Sequence, residues 1–205
     1  MLTKLQYISQ GTSVQIQENN ILKALRHGAE WIQIRWKNPP LAEAERHFLR
    51  LKNLCRDFDA TCIINDYVQI ASAIDADGVH LGLTDTSVEK ARKILGNNKI
   101  IGGTANTISD VQQRLRESCD YIGLGPYRFT STKEKLSPIL GIQGYRKIFD
   151  FYHKKQVILP PVYAIGGIGL EDIEPLKKAG IYGVAISGLL VENPHMISII
   201  KKIWK

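Results

Sequence analysis

Long apolar runs are missing from this 205-residue chain. No stretch approaches the roughly 18 residues that a membrane span requires, so a bilayer-embedded protein is not expected. Cysteine is scarce. Cys55, Cys62 and Cys119 are odd in number and stand at no metal-motif spacing, which argues against a disulfide framework and for a reducing, cytoplasmic setting. The first residues, "MLTKLQYISQ", lack the apolar core of a secretory signal and lead directly into a strand pattern. No low-complexity segment or linker interrupts the sequence, so one domain over residues 1–205 is its simplest organisation. A convincing Cys-His or Ser-His-Asp set for nucleophilic catalysis is absent as well.

Positive charge is in excess, at a formal +7. That excess attracts nucleic acid and phosphorylated metabolites alike. The lysines are scattered rather than set in a stripe with stacking aromatics, and the terminal "IKKIWK" reads as a solvated helix face. A nucleic-acid partner is therefore not expected.

One module recurs: a short apolar run, a polar or glycine-containing turn, then a helical pattern. The runs are Leu5–Ile8, Trp31–Arg35, Thr61–Asn65, Gly78–Leu81, Lys99–Gly103, Tyr121–Leu124, Val162–Ile165 and Gly183–Ile186. Segments of about 3.6-residue periodicity lie between them, among them Leu41–Phe58, Thr107–Glu117 and Leu170–Ala179. Gly28, Gly96 and Gly180 stand where helices need a C-terminal stop. Strands alternating with helices imply a parallel sheet. Eight evenly sized units predict a closed (β/α)₈ TIM barrel in preference to an open doubly wound sheet.

In such a barrel the chemistry collects where strands end and βα loops begin. Period-two alternation in "WIQIRWK" puts Gln33, Arg35 and Lys37 on one strand face. A charged face on a covered strand needs a partner, either an internal salt bridge or, as the better reading, an anionic ligand. The third strand ends in Asn65 and Asp66, where Asp66 is a helix cap or a ligand. Asp85 follows the fourth strand, and Thr86-Ser87-Val88-Glu89 already offers a capping box, so Asp85 is not needed as a cap. Two carboxylates on adjacent loops suit Mg²⁺ that is also held by substrate phosphate oxygens. His80 reads as a hydrogen-bonded interior residue rather than a ligand, and Gly102-Gly103-Thr104 places a hydroxyl beside closely approachable backbone.

Glycine-rich turns after the last two strands, "YAIGGIG" and "AISGLL", suit a phosphate held by backbone N–H groups. After the sixth strand, "GPYRFTSTKEKLSPILG" is long and polar, as expected of a lid or binding loop, and carries Thr130, Thr132 and Lys133.

Taken together, "QIRWK", "IINDY", "DGVHLGLTD", "IIGGTANT", "YIGLGPYRFTSTK", "VYAIGGI" and "GVAISG" resemble thiamine phosphate synthases, in the same order along nearly the whole chain. The resemblance implies a (β/α)₈ transferase that joins a hydroxymethylpyrimidine diphosphate to a thiazole phosphate with Mg²⁺, releasing diphosphate by a dissociative route. It implies Asp66 and Asp85 as metal ligands, and Arg35, Lys37, Asn65, Thr104 and Lys133 around the diphosphate. Arg35, Thr104 and Lys133 stand among these as the candidate catalytic groups. Gln33 is expected at the aminopyrimidine, with Thr130, Thr132 and the backbone around Gly167, Ile186 and Ser187 at the thiazole phosphate. The partners implied are these small molecules, and a homo-oligomer is compatible with the chain. Leu83, Asn106 and Arg128 depart from the family pattern, where glutamine, histidine and an apolar or aromatic residue are common. A tautomerase-like relative and a non-catalytic phosphate-binding barrel are the alternatives. The first tends to lack the metal carboxylates and to use a histidine where Asn106 stands, and the second needs no paired carboxylates.

Overall fold

The computed structural model describes residues 2–129 and 138–204. Eight parallel strands pair in sequence order and close, the first against the last. They are β1 (Leu5–Ile8), β2 (Trp31–Ile34), β3 (Thr61–Asn65), β4 (Gly78–Leu81), β5 (Ile100–Ala105), β6 (Tyr121–Leu124), β7 (Val162–Ile165) and β8 (Gly183–Ile186). Six of the expected spans agree residue for residue. β2 stops one residue short of Arg35, and β5 starts one residue later and runs on to Ala105.

The intervening helices are α1 (Val14–Arg26), α2 (Ala44–Arg56), α3 (Val68–Ala73), α4 (Val88–Leu95), α5 (Ile108–Arg116), α6 (Gly141–Lys154) and α7 (Ile173–Lys178). After β8 come α8 (Gly188–Glu192) and α9 (Met196–Trp204). Gly28, Gly96 and Gly180 adopt φ of 88°, 80° and 86°, the left-handed conformation with which a helix stops. Ser13 caps α1 by accepting from the Ile16 N–H. α4 is capped by Ser87, one residue beyond the expected Thr86, and Glu89 pairs with Lys93 instead of closing a box. The cap chosen is the residue whose extended backbone lets its hydroxyl face the Lys90 N–H.

Alternation divides each strand between two environments. Ile32, Ile34, Ile64, Val79, Ile101, Ile122 and Val184 pack outward under the helices. Their counterparts fill the barrel in layers. At the N-terminal end, Trp31 meets Tyr121 and Tyr163 edge-on, each at a centroid distance of 4.9 Å. Such pairs add about 0.5–1.5 kcal/mol beyond their buried area. Above this apolar plug the interior turns polar with Gln6, Gln33, His80 and Thr104, all buried. The polar layer carries the floor of the site.

Candidate active site

The C-terminal mouth gathers most of the expected residues. Arg35 follows β2, and its backbone is pinned on both sides. Its N–H donates to Ser9 Oγ at 3.0 Å, and its carbonyl accepts from Gln17 Nε2 at 3.1 Å. Burial lowers the pKa of its half-buried guanidinium and the nearby charge of Asp66 raises it. Lys37, two residues on, is exposed at the rim.

Asp66 is not a helix cap. Tyr67 holds the cap position of α3, and no side chain caps that helix. Asp66 instead takes a left-handed φ of 69° while its N–H donates to the His80 carbonyl at 3.0 Å, which ties the end of β3 to β4. Asp85 turns back over its own loop and accepts the Gly82 N–H on Oδ2 at 2.7 Å. The two carboxyls meet. Desolvation, a hydrogen bond to Asp85 and the Asp85 charge push the Asp66 carboxyl up to about 7, while Arg35 and Asn65 hold it down. A protonated Asp66 carboxyl hydrogen-bonded to Asp85 beside an arginine forms a small donor set that a divalent cation fits, because the cation replaces the proton and removes the repulsion. Among the described residues no cluster of three or more His, Cys, Asp or Glu side chains offers an all-protein cage.

The pH dependence follows. In the metal-free folded protein Asp66 keeps its proton up to about pH 7. Unfolded, it loses that proton near ~4. The native state therefore binds more protons in that window, and the Asp66 contribution to stability falls as pH rises through it. Asp66→Asn is expected to abolish that slope, so in EDTA its urea midpoint should gain on wild type between pH 5 and pH 8. Parallel profiles for the two proteins would refute the raised Asp66 carboxyl.

Thr104, one residue from the end of β5, is buried and bonded to His80 Nε2 at 3.0 Å. His80 is thus an interior, hydrogen-bonded residue as expected. The two glycines before Thr104 serve a purpose other than the one expected. A β-carbon on Gly102 would stand 2.1 Å from the Tyr121 ring, and one on Gly103 would stand 2.5 Å from Arg114 Cδ. They make room for protein, not for ligand backbone approach.

Arg114 itself was not foreseen. It is buried on α5 and donates to the Thr104 carbonyl at 2.9 Å, the Gly82 carbonyl at 3.0 Å and Glu117 at 2.7 Å. One side chain thereby fixes the backbones that carry Thr104 and the Asp85 loop. The sequence sign was Gly103, whose missing β-carbon admits a long side chain from the next helix.

Two departures from the family pattern find partners. Asn106 donates its amide to the Gly125 carbonyl and its N–H to Asp110, joining the end of β5 to the loop after β6. Arg128 forms a bidentate pair with buried Asp172, at 2.6 and 2.7 Å, and reaches Glu171 at 3.1 Å. Asp172 also accepts the Gly169 N–H at 2.8 Å, so Arg128 braces the turn after β7. Leu83 is exposed, and nothing in the structure explains it.

That turn is shaped by its neighbours. Gly166 and Gly167 have φ of 93° and 68°, and a β-carbon on Gly167 would lie 2.7 Å from the Phe129 carbonyl oxygen. After β8, Ser187 Oγ is engaged, donating to the Ile8 carbonyl at 2.7 Å and accepting from Gln10 at 2.9 Å. Gly188 differs from the other turn glycines. The nearest atom to a β-carbon there is Gln10 Nε2 at 3.9 Å, and its φ is ordinary. Gln33 lies apart from the charged rim, buried in the polar layer with its amide on Gln6. Thr130, Thr132 and Lys133 lie outside the described residues.

A family model described as thiamine monophosphate synthase matches residues 6–190. The thiamine-phosphate synthase of Flavobacterium psychrophilum is 50% identical over 211 residues, covering all of this chain and 99% of that protein. Its counterpart from Flavobacterium johnsoniae is 51% identical over 203 residues, covering 99% of this chain and 95% of that one. Among solved structures, thiamine phosphate pyrophosphorylase from Pyrococcus furiosus superposes with a TM-score of 0.82 at 30% identity, over 98% of this chain and 95% of that one.

Proposed function

The chain belongs to the thiamine monophosphate synthase family, and from that membership we propose how the barrel mouth divides the work of its transfer reaction. It is a transferase that joins hydroxymethylpyrimidine diphosphate to thiazole phosphate, giving thiamine phosphate and diphosphate. The observation that carries the division of labour is Arg35 beside the hydrogen-bonded carboxyls of Asp66 and Asp85.

Arg35, Lys37, Asn65 and Thr104 take the diphosphate of the first substrate, and Lys133 joins them on the strength of the sequence resemblance. Asp66 and Asp85 would hold Mg²⁺, which when bound neutralises charge on diphosphate oxygens. Gln33, in the polar layer, orients the aminopyrimidine. The C–O bond breaks, its electron pair leaves with the diphosphate, and the electron-rich pyrimidine stabilises the methylene cation. The thiazole nitrogen then supplies the pair that forms the new C–N bond. No protein nucleophile is required, only charge stabilisation at the leaving group and two substrates held within reach.

Thr130, Thr132 and the backbone around Gly167, Ile186 and Ser187 take the thiazole phosphate. Gly188 supports a ligand on this side, since among the described residues no close neighbour accounts for a glycine there. A proton-transfer reading has little support, because the amide of Asn106 is bound to the Gly125 carbonyl and is no base.

Incubation with both substrates and Mg²⁺, followed by oxidation and fluorescence detection of thiamine phosphate, tests the reaction directly. The metal assignment has its own test. Two carboxylates are few for a Mg²⁺ site, so calorimetry should show weak binding of Mg²⁺ alone and at least ~tenfold tighter binding with diphosphate present. Equal affinity in the two titrations would remove Asp66 and Asp85 from a shared site.

A further inference from the structure

Five side chains form an unbroken hydrogen-bonded line through the barrel interior, linking residues of β1, β2, β4, β5 and β6. Gln33 Nε2 donates to Gln6 Oε1 at 2.9 Å, and Gln6 Nε2 donates to the Tyr121 hydroxyl at 3.2 Å. Tyr121 Oη lies 3.0 Å from His80 Nδ1, and His80 Nε2 lies 3.0 Å from Thr104 Oγ1. All five residues are buried. The imidazole fits because β6 carries glycine beside it, where a β-carbon on Gly123 would come within 3.0 Å of the ring.

The line has a direction. Tyr121 receives an amide proton from Gln6 Nε2. Its burial keeps the phenol protonated, and it has one proton to give. With Gln6 donating to it, that proton goes to His80 Nδ1. A neutral imidazole that accepts at Nδ1 carries its own proton on Nε2 and donates there. Thr104 Oγ1 is then the acceptor, and its hydroxyl proton is left for whatever stands in front of β5. Reversing the line would require both glutamine amides to flip from the donor and acceptor placement they hold here.

We propose that Gln6, Tyr121 and His80 are positioning residues that lock His80 as the Nε2–H tautomer and so commit the Thr104 hydroxyl to donate to the leaving diphosphate. This role rests on the reading above that Thr104 faces the diphosphate. It gives one network a grip on both ends of the same substrate, with Gln33 at the pyrimidine and Thr104 at the leaving group. As the C–O bond breaks, negative charge grows on the diphosphate, and a hydroxyl already committed as donor needs no reorientation.

Nitrogen NMR of the full chain with ¹⁵N-labelled histidine reads the tautomer in wild type, where His80 is one of five histidines and is assigned by its loss in His80→Gln. The expected result is a protonated Nε2 and a bare Nδ1, shifting toward the other tautomer in Tyr121→Phe. Tyr121→Phe should lower kcat about tenfold, the scale of one hydrogen bond, with the KM for thiazole phosphate unchanged. In a Thr104→Ala background the same change should cost nothing further. A wild-type His80 protonated on Nδ1 overturns the proposal, as do losses that simply multiply in the double variant. An Nε2–H His80 alongside a Thr104→Ala protein of full turnover overturns it at the other end, through the diphosphate reading rather than through the network.

Discussion

Asp85→Asn is expected to lower turnover by about 100- to 1,000-fold while leaving the fold intact, the range found when one preorganised electrostatic partner is removed from a reaction's developing charge. The substitution separates charge from structure. Asp85 has a local task, accepting the Gly82 N–H at 2.7 Å. An asparagine oxygen can perform that task equally well. What it cannot do is share a divalent cation with Asp66, so the loss reports the charge alone. Asp66 should also lose the repulsion that helps push its carboxyl up to about 7. Steady-state kinetics at saturating Mg²⁺, with a thermal melt as control, check the outcome. Turnover within about tenfold of wild type would exclude Asp85 from the metal site.

Arg35→Ala is expected to cost a similar ~100- to 1,000-fold, with the loss in kcat/KM for the pyrimidine diphosphate. The guanidinium is half-buried and set beside Asp66, and its backbone is held by Ser9 and Gln17. On the reading proposed above it is a fixed cation where the anionic leaving group would arrive. Arg35→Lys should recover only part of the loss, because an ammonium cannot reproduce the planar two-pronged contact with phosphate oxygens. The KM for thiazole phosphate should stay near its wild-type value in both variants. A loss that falls equally on both substrates would assign Arg35 to the architecture of the mouth instead.

The charged rim and the polar interior were not equally legible. Gln33, Arg35 and Lys37 could be placed on one strand face because alternation is a local property, set by the backbone pleat within a few residues. In the structure the strand ends at Ile34, Gln33 is buried in the polar layer, Arg35 is half-buried beyond the strand and Lys37 is exposed. Asp66 as cap or ligand could not be decided in the same way. Its position beside Asp85 depends on β3 and β4 pairing in register, with Asn65 opposite His80. The glycines before Thr104 show the same limit from the other side. Their presence was plain, but Tyr121 and Arg114 as the groups they admit arrive from β6 and α5, after the chain has turned back on itself.

The sequence by itself determined six of the eight strand spans, the closure implied by eight equal units and the family resemblance. All of these rest on short-range periodicity and on the order of motifs along the chain. Only the tertiary structure decided which side chains meet. Barrel closure and strand register bring Asp66 to Asp85, Arg128 to Asp172, Asn106 to the Gly125 carbonyl, and Gln33 through Gln6, Tyr121 and His80 to Thr104. The residues in these contacts come from different βα units, and alternation within one strand carries no information about the register of the next.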